Sequence, residues 1–269
     1  MTPELSIVTV HYHNPALLKM CLSSIEQFPP SVSYEVIVVD SNTIRESRDL
    51  VREQFPSVKL IPVTENTGYA GGINLGIKNS SGKYILILNQ DVAISEGAIN
   101  KLIDFIKNRP DVGLVGPQLL NFNGTIQNSY FRFYTPITII ARRLPLGGIQ
   151  PFKKILSNFI MEDTDTNKMQ APDWISGAAM LTTRDAINKV GYLDEKFFFY
   201  FEDVDWSRRF WQNEYKVIYY PEAKIYHALG RGSKSNLGIL DLFFNKKTWW
   251  HIKSAVKYFL KHKKSLKHA

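Results

Sequence analysis

The sequence is poor in cysteine, in long apolar runs and, over its last 25 residues, in acid. Its single cysteine, Cys21, excludes an intramolecular disulfide and agrees with a reducing compartment. No apolar stretch approaches the roughly 20 residues that span a bilayer. The best candidate, Ile137 to Ala141, runs straight into Arg142 and Arg143. The amino terminus lacks a basic segment, carries Glu4 early and turns β-branched, so it reads as a first strand and not as a signal peptide. A cytoplasmic protein, soluble or peripheral to a membrane, is expected. Closely spaced Cys or His pairs are missing apart from His11 and His13, which argues against tetrahedral zinc. No glycine fingerprint follows the first strand, which disfavours a nicotinamide-dependent oxidoreductase. Nucleic acid is not an expected partner, because no compact aromatic and basic motif is present.

The missing acid has a counterpart. Residues 245 to 269 hold eight lysines, so the net charge of +8 sits wholly in this tail and the body is balanced at 25 basic and 25 acidic residues. With 44% hydrophobic content, the chain can bury the core of one large α/β domain, with or without an appendage.

Strand and helix signals alternate through the first half. Leu5–Val10 is a continuous β-branched run, as in a strand buried on both faces. Pro15–Phe28 repeats apolar residues with a helical period, with Asn14 as cap and Pro15 at the first helical position. Further strands are expected at Glu35–Val39, Lys59–Val63, Lys83–Leu88 and Val112–Val115, with a short helix after the glycine-rich turn near 68–72 and another over Glu96–Lys107. Such alternation predicts a mostly parallel sheet, whose carboxyl edge is where open α/β sheets bind ligands. Residues 121–171 show no period and read as long loops over a site. Trp174–Thr182 is expected to be one strand, Asp203–Gln212 a helix, and Lys216–Tyr220 and Ala223–His227 two short strands.

Several short motifs could carry chemistry. Asp40 ends the run EVIVVD and could cap a turn or accept a hydrogen bond from a nucleobase. Asn66 to Gly76 places four glycines and two asparagines around a helix start, which suits close backbone approach to phosphate or ribose. Asn89-Gln90-Asp91 ends a hydrophobic strand in an acidic turn that could hold a divalent metal against a diphosphate, or could be a turn only. His227 is either a core histidine or a further metal ligand. The stretch FEDVDW sets Glu202, Asp203 and Asp205 after the apolar run 197–201, which suits either a well-capped helix or a carboxylate cluster on the floor of a cleft.

In this order and spacing, SIVTVHYHN, VIVVDSN, ENTGYAGGINLGI, YILILNQD, WISGAAMLTTR, VGYLDEKFFFYFEDVDWSRR and the late His227 resemble the inverting glycosyltransferases of family 2, which act on nucleotide-sugar donors with a GT-A fold. The resemblance spans about residues 4–232 and leans toward bacterial rhamnosyltransferases of polysaccharide assembly. It implies that Asp40 holds the nucleotide base, with Thr9, Tyr12 and Asn14 lining the same pocket. Asn66, Gly72 and Asn74 would sit beside ribose and diphosphate, with Asn89 and Gln90 on the same donor side. Asp91 would bind Mg²⁺ or Mn²⁺, with His227 completing the metal or diphosphate site; Asn89 stands where the pattern has its first acid, so metal affinity is expected to be weak. Asp203 would be the catalytic base, Trp174 and Gly177 would lie on the acceptor side, and Glu202 and Asp205 would position the acceptor or orient Asp203. Inversion in one displacement needs a base on the face opposite the departing nucleotide, which a desolvated carboxylate supplies.

The resemblance further implies dTDP-L-rhamnose as donor and a lipid-linked saccharide as acceptor, in O-antigen or related polysaccharide assembly. A UDP-hexose or UDP-N-acetylhexosamine donor, or a catalytically silent binding protein, are the rival readings. The expected organisation is a catalytic domain over 1–240, with a donor half to about 118 and an acceptor half from about 119, followed by a basic segment over 241–269. In that segment Trp249, Ile252, Val256, Phe259 and Leu260 fall at helical spacing, with Lys253, Lys257, Lys261 and Lys264 outside the stripe. This pattern suits an anionic membrane surface or, alternatively, packing on the catalytic domain.

Overall fold

The computed structural model describes residues 2–143, 149–228 and 246–263. Strands β1 (Leu5–His11), β2 (Tyr34–Ser41), β3 (Lys59–Val63) and β4 (Tyr84–Asn89) alternate with helices α1 (Pro15–Gln27), α2 (Arg45–Gln54) and α3 (Gly68–Lys78). The four strands pair in parallel in the order β3-β2-β1-β4. Both faces of this half are covered, which explains the unbroken apolar runs: Ile7 enters the core cluster shared with α1, and its neighbour Val8 enters the one shared with α3. Asn14 caps α1 by accepting from the Leu17 amide, and Pro15 occupies the first turn, as its spacing predicts.

The second half follows as β5 (Val92–Ile94), α4 (Ala98–Lys107), β6 (Val112–Leu120), β7 (Ile126–Gln127), β8 (Tyr130–Phe131), α5 (Pro136–Arg143), α6 (Phe152–Phe159), β9 (Trp174–Ile175), β10 (Ala179–Thr183), α7 (Arg184–Val190), α8 (Glu202–Gln212), β11 (Lys216–His227) and α9 (Lys246–Lys261). The main sheet continues from β4 through β10, β6 and β11 to β5, with β7 attached to β6. Here the direction changes: β10 runs antiparallel to both β4 and β6, while β6 and β11 are parallel. The expected strand over 174–182 is therefore two, since β9 leaves the main sheet to pair with β8 and Gly177 lies at the break. The two strands expected after 216 are one, β11, irregular in register between Tyr220 and Lys224, where Pro221 cannot donate to the ladder. The aperiodic region 121–171 contains strands of two residues and helices of eight, too short to show a period.

A third cluster is aromatic and sits apart from the sheet. Tyr134, Phe159, Trp174, Phe197, Phe201 and Val204 pack with Ala255 and Tyr258 of α9. Helix α9 thus packs on the residues before it, as the second of its two readings expects. Its inner face is Thr248, Ser254, Ala255, Tyr258 and His262, whereas Trp249, Val256 and Leu260 of the anticipated stripe point outward. The expected boundary at 240/241 and Lys264 fall outside the described residues.

Candidate active site

The donor side is built at the carboxyl ends of β1, β2 and β4. Parallel register sets His11 beside Asp40 and Val10 beside Asn89, so residues distant in sequence share one edge. Asp40 is fully buried; its Oδ2 accepts from the Thr43 hydroxyl, and its Oδ1 has no hydrogen-bond partner among the described residues. The Thr9 hydroxyl, also fully buried, is likewise unpartnered. Two such buried polar atoms at a strand edge are the kind a ligand satisfies. His11, which the sequence reading passed over, lies under them: Nδ1 bonds the Gln90 side-chain oxygen and Nε2 meets Ser47 Oγ at 2.8 Å. Burial holds its pKa below the ordinary imidazole value, so it stays neutral beside Asp40.

The remaining donor-side expectations divide. Tyr12 is exposed and stacks on His13 with centroids 4.3 Å apart. Gln90 accepts from the Tyr12 amide and donates to its carbonyl, clipping the end of β1 to that of β4. Asn89 sits at the end of β4, its amide donating to Ala178 O at 2.9 Å. Asn14 stays at the same rim as the α1 cap, and Asn66 accepts from the Gly68 amide and Ser41 hydroxyl at the end of β2.

Gly72 and Asn74 do not face that edge. A Cβ on Gly72 would come within 2.7 Å of Val10 Cγ2, and one on Gly76 within 2.3 Å of Val8 Cγ1, so these glycines let α3 lie close on β1. Asn74 is buried, donating to Leu193 O and Glu195 and accepting from the Leu193 amide. The glycine-rich motif serves helix-on-sheet packing rather than phosphate contact at these two positions.

Asp91, in the turn between β4 and β5, meets His227 at the end of β11. Asp91 Oδ1 lies 3.5 Å from His227 Nε2, and the Ala228 amide donates to Asp91 O. Gln127 sets the tautomer. Its amide nitrogen donates to Asn121 Oδ1 and His227 O, which leaves its oxygen to accept from His227 Nδ1 at 2.9 Å. In neutral His227 the Nε2 lone pair then faces Asp91, the arrangement a metal-binding imidazole needs. Among the described residues no group of three His, Cys, Asp or Glu converges. The pair fits a cation that takes its other oxygens from a diphosphate and water.

The three carboxylates of FEDVDW have three fates. Two successive residues with left-handed backbone, Tyr200 (φ 69°) and Phe201 (φ 71°), turn the chain sharply into α8. Asp203, half-buried, then meets Gly177: its Oδ2 accepts from the Gly177 amide at 3.0 Å and its Oδ1 from the Val204 amide at 2.9 Å. A Cβ on Gly177 would touch Asp203 Cβ at 3.4 Å, so the small residues after Trp174 accommodate the carboxylate itself. Burial raises the Asp203 pKa to about 6, against the pull of the amides. Glu202 is buried with an unpartnered Oε2; burial and the neighbouring Asp203 charge hold its pKa well above the carboxylate range, so it carries a proton. Tyr69, another residue the sequence reading missed, donates to Gly177 O at 2.9 Å and feels Glu202, Asp203 and Asp91 together, which sets donor and base sides next to each other.

Asp205 and Trp174 are corrections to the acceptor set. Asp205 is fully buried on the far side of α8, bound by Arg209 at 2.9 Å, Lys261 at 2.8 Å and His262 at 2.8 Å. Burial alone would raise its pKa, but His262, Arg209 and Lys261 outweigh it and hold the group ionised. Trp174 lies inside the aromatic cluster, stacked on Phe131 at 4.4 Å with Nε1 donating to Arg132 O. The candidate base and a buried ionic anchor thus lie two positions apart in one cluster of acids.

Known proteins share this chain's sequence pattern and fold. Residues 6–169 match the family model described as Glycosyl transferase family 2. The chain is 25% identical over 262 residues to N-acetylglucosaminyl-diphospho-decaprenol L-rhamnosyltransferase of Mycobacterium tuberculosis, covering 88% of this chain and 81% of the relative. Among solved structures it resembles GalNAc-T7 with UDP, GalNAc and Mn²⁺ (TM-score 0.64, 15% identity, 88% of this chain and 46% of that one). It also resembles the mannosyltransferase PcManGT of Pyrobaculum calidifontis in complex with GDP-Man and Mn²⁺ (TM-score 0.56, 18% identity, 86% and 58%). The chain spans only about half the length of these two solved proteins, and at such identities the likeness shows the shared GT-A fold.

Proposed function

The chain belongs to glycosyl transferase family 2, and on that premise we propose that it transfers L-rhamnose with inversion from dTDP-L-rhamnose to a lipid-linked saccharide. The observation that carries the mechanism is Asp203, the one acid of its cluster that is neither neutralised nor fully enclosed. Its amide contacts aim it, and its raised pKa makes it a stronger base than a free carboxylate while leaving it ionised at neutral pH. Asp203 takes the proton of an acceptor hydroxyl as that oxygen attacks the anomeric carbon, and the bond to the nucleotide diphosphate breaks on the opposite face. Protonated Glu202 offers a hydrogen-bond donor beside it.

On the donor side, Asp40 Oδ1 would accept the imide N–H of a pyrimidine, with Thr9 and the exposed Tyr12 close by. Asp91 and His227 would hold a Mg²⁺ or Mn²⁺ ion, whose charge would offset that of the leaving diphosphate. The identity of the sugar rests on similarity to the mycobacterial rhamnosyltransferase. Thymine and uracil share the imide that Asp40 would recognise, so a UDP-hexose is the second reading. In this reading residues to about 118 supply the donor half and 119–240 the acceptor half.

No helix among the described residues is long and apolar enough to cross a membrane. The outward stripe of α9, with Trp249, Val256 and Leu260 exposed and Lys253 and Lys257 flanking it, would instead rest on the anionic cytoplasmic face where a lipid-linked acceptor is presented.

The test is transfer from a panel of dTDP- and UDP-sugars, with Mg²⁺ or Mn²⁺, to a synthetic lipid-diphosphate N-acetylglucosamine. Rhamnosyl product is expected with dTDP-L-rhamnose. Product with a UDP-sugar alone would replace the donor assignment and keep the site.

A further inference from the structure

We infer that α9 is part of the catalytic apparatus: it straps the segment that carries Asp203 and so positions the base, with Asp205, Lys261 and His262 as its main fastening. The inference rests on the reading of Asp203 as base.

The segment from Asp194 to Asp205 is held from two sides. From the donor side, the Tyr69 amide donates to Phe198 O at 2.9 Å, and Gly68, with φ 75°, leaves no room for a side chain there, since a Cβ would lie 2.4 Å from that same oxygen. From the other side, α9 makes contact from Trp250 to His262. Trp250 packs on Phe198 and Phe199, and His251 lies against Tyr200 and Phe201, the two residues with left-handed backbone. Ser254 Oγ donates to Phe199 O at 3.1 Å, and Lys257 Nζ to Lys196 O at 2.7 Å. Lys261 spans Asp194 and Asp205, and His262 Nε2 lies 2.8 Å from Asp205 Oδ1.

The ion cluster closes directly behind the base. Asp205 is in the first turn of α8, and the αL turn at Tyr200-Phe201 is not a conformation these residues adopt unaided. Something must over-determine it, and the fastening supplied by α9 is adjacent on one side as Gly68 and Tyr69 are on the other. A carboxylate displaced by about 1 Å can lose on the order of 10²-fold in rate. None of these α9 contacts involves Asp40, Asp91 or His227, so the strap does not fasten those donor-side residues directly.

The experiment uses the full chain with Lys261→Met, His262→Gln and the double variant. Turnover, KM for dTDP-L-rhamnose, dTDP affinity by calorimetry and amide exchange of residues 198–206 are measured at a temperature where each variant is folded. The expected result for the double variant is a loss of turnover on the order of 10²-fold, dTDP affinity and donor KM within about twofold, and faster exchange confined to the segment. Wild-type turnover with wild-type exchange overturns the inference. So does an equal loss of turnover and dTDP affinity, which is what a merely structural helix would give. Lys261→Arg should recover most of the turnover lost in Lys261→Met, because the ion pair to Asp194 and Asp205 is restored. If Asp203→Asn retains turnover, the base reading fails; exchange over 198–206 and dTDP affinity in the double variant still decide whether the strap exists.

Discussion

The donor edge and the base segment reach their geometry by opposite routes. At the donor edge, Asp40, His11 and Asn89 are delivered by the ends of parallel strands whose register aligns them, and Asp91 by the turn that follows β4. Local backbone regularity is enough, and the nearest side-chain bonds, Gln90 to Tyr12 and Asp40 to Thr43, only trim the result. The base segment has no such frame. Asp203 follows two residues with left-handed backbone and is aimed by Gly177 from 26 residues before it, while Asp205 beside it is anchored by His262 from 57 residues after it. The difference teaches that nucleotide binding should tolerate damage that transfer does not.

The sharpest way to break that contrast is at the base. Asp203→Asn should lower turnover by about 10²- to 10⁴-fold while dTDP binding measured by calorimetry stays within about twofold. The wild-type rate should fall tenfold per pH unit below about 6, because protonating Asp203 removes the base, and the Asn variant should be flat across that range. Equal loss of binding and turnover would erase the distinction between the two sides. Next in size is Asp205→Ala, which leaves Arg209, Lys261 and His262 around an empty position and should cost about 3–5 kcal/mol of stability by denaturant unfolding. The Asp205 pKa lies below its unfolded value, so its stabilisation is present above the ordinary carboxylate range and is lost as pH falls through that depressed pKa. A cost under about 1 kcal/mol, the range of a surface ion pair, would show that the cluster is not an anchor.

A smaller effect tests the metal pair on the donor side. Gln127→Leu removes the acceptor of His227 Nδ1, and the bond to His227 O with it, while both proposed ligand side chains stay in the chain. It should weaken Mn²⁺-dependent dTDP binding by about 10- to 100-fold and leave binding in chelator unchanged. Equal weakening in chelator would assign Gln127 to packing alone.

Much of this contrast is legible in the sequence, and the legible part is the donor side. Leu5–Val10, Glu35–Val39 and Lys83–Leu88 announce buried parallel strands by composition, and parallel strands place their terminal polar residues on one edge without further information. Asp203 and Gly177 are legible as motif residues, although the bond between them is not. Asp205 misleads because its neighbours in sequence are candidate site residues while partners in space are on and just after α9, and no local pattern reports a contact across 57 residues. Gly72 and Asn74 mislead for a related reason: a glycine pattern shows that something approaches the backbone, and only the fold shows that it is Val10. Tyr69 and Gln127 act through hydrogen bonds to residues about 100 positions away in sequence, which composition cannot register.

The smallest expected effect concerns the two faces of α9, which repeat the contrast on one helix. About half a turn separates Tyr258, fully buried against Phe201, from the exposed line of Trp249, Val256 and Leu260. Replacing Trp249, Val256 and Leu260 by serine touches nothing in the interior, so each change should alter stability by less than about 0.5 kcal/mol and leave turnover on a soluble acceptor unchanged. Sedimentation with anionic liposomes should nevertheless fall, because apolar burial and lysine attraction act together in an interfacial helix. Liposome binding that survives the triple change but disappears with Lys253 and Lys257 neutralised would leave charge alone in that role. Turnover that falls with the outer-face changes in the absence of any membrane would mean that the two faces are not independent, and that the outer stripe, like the inner one, bears on the base.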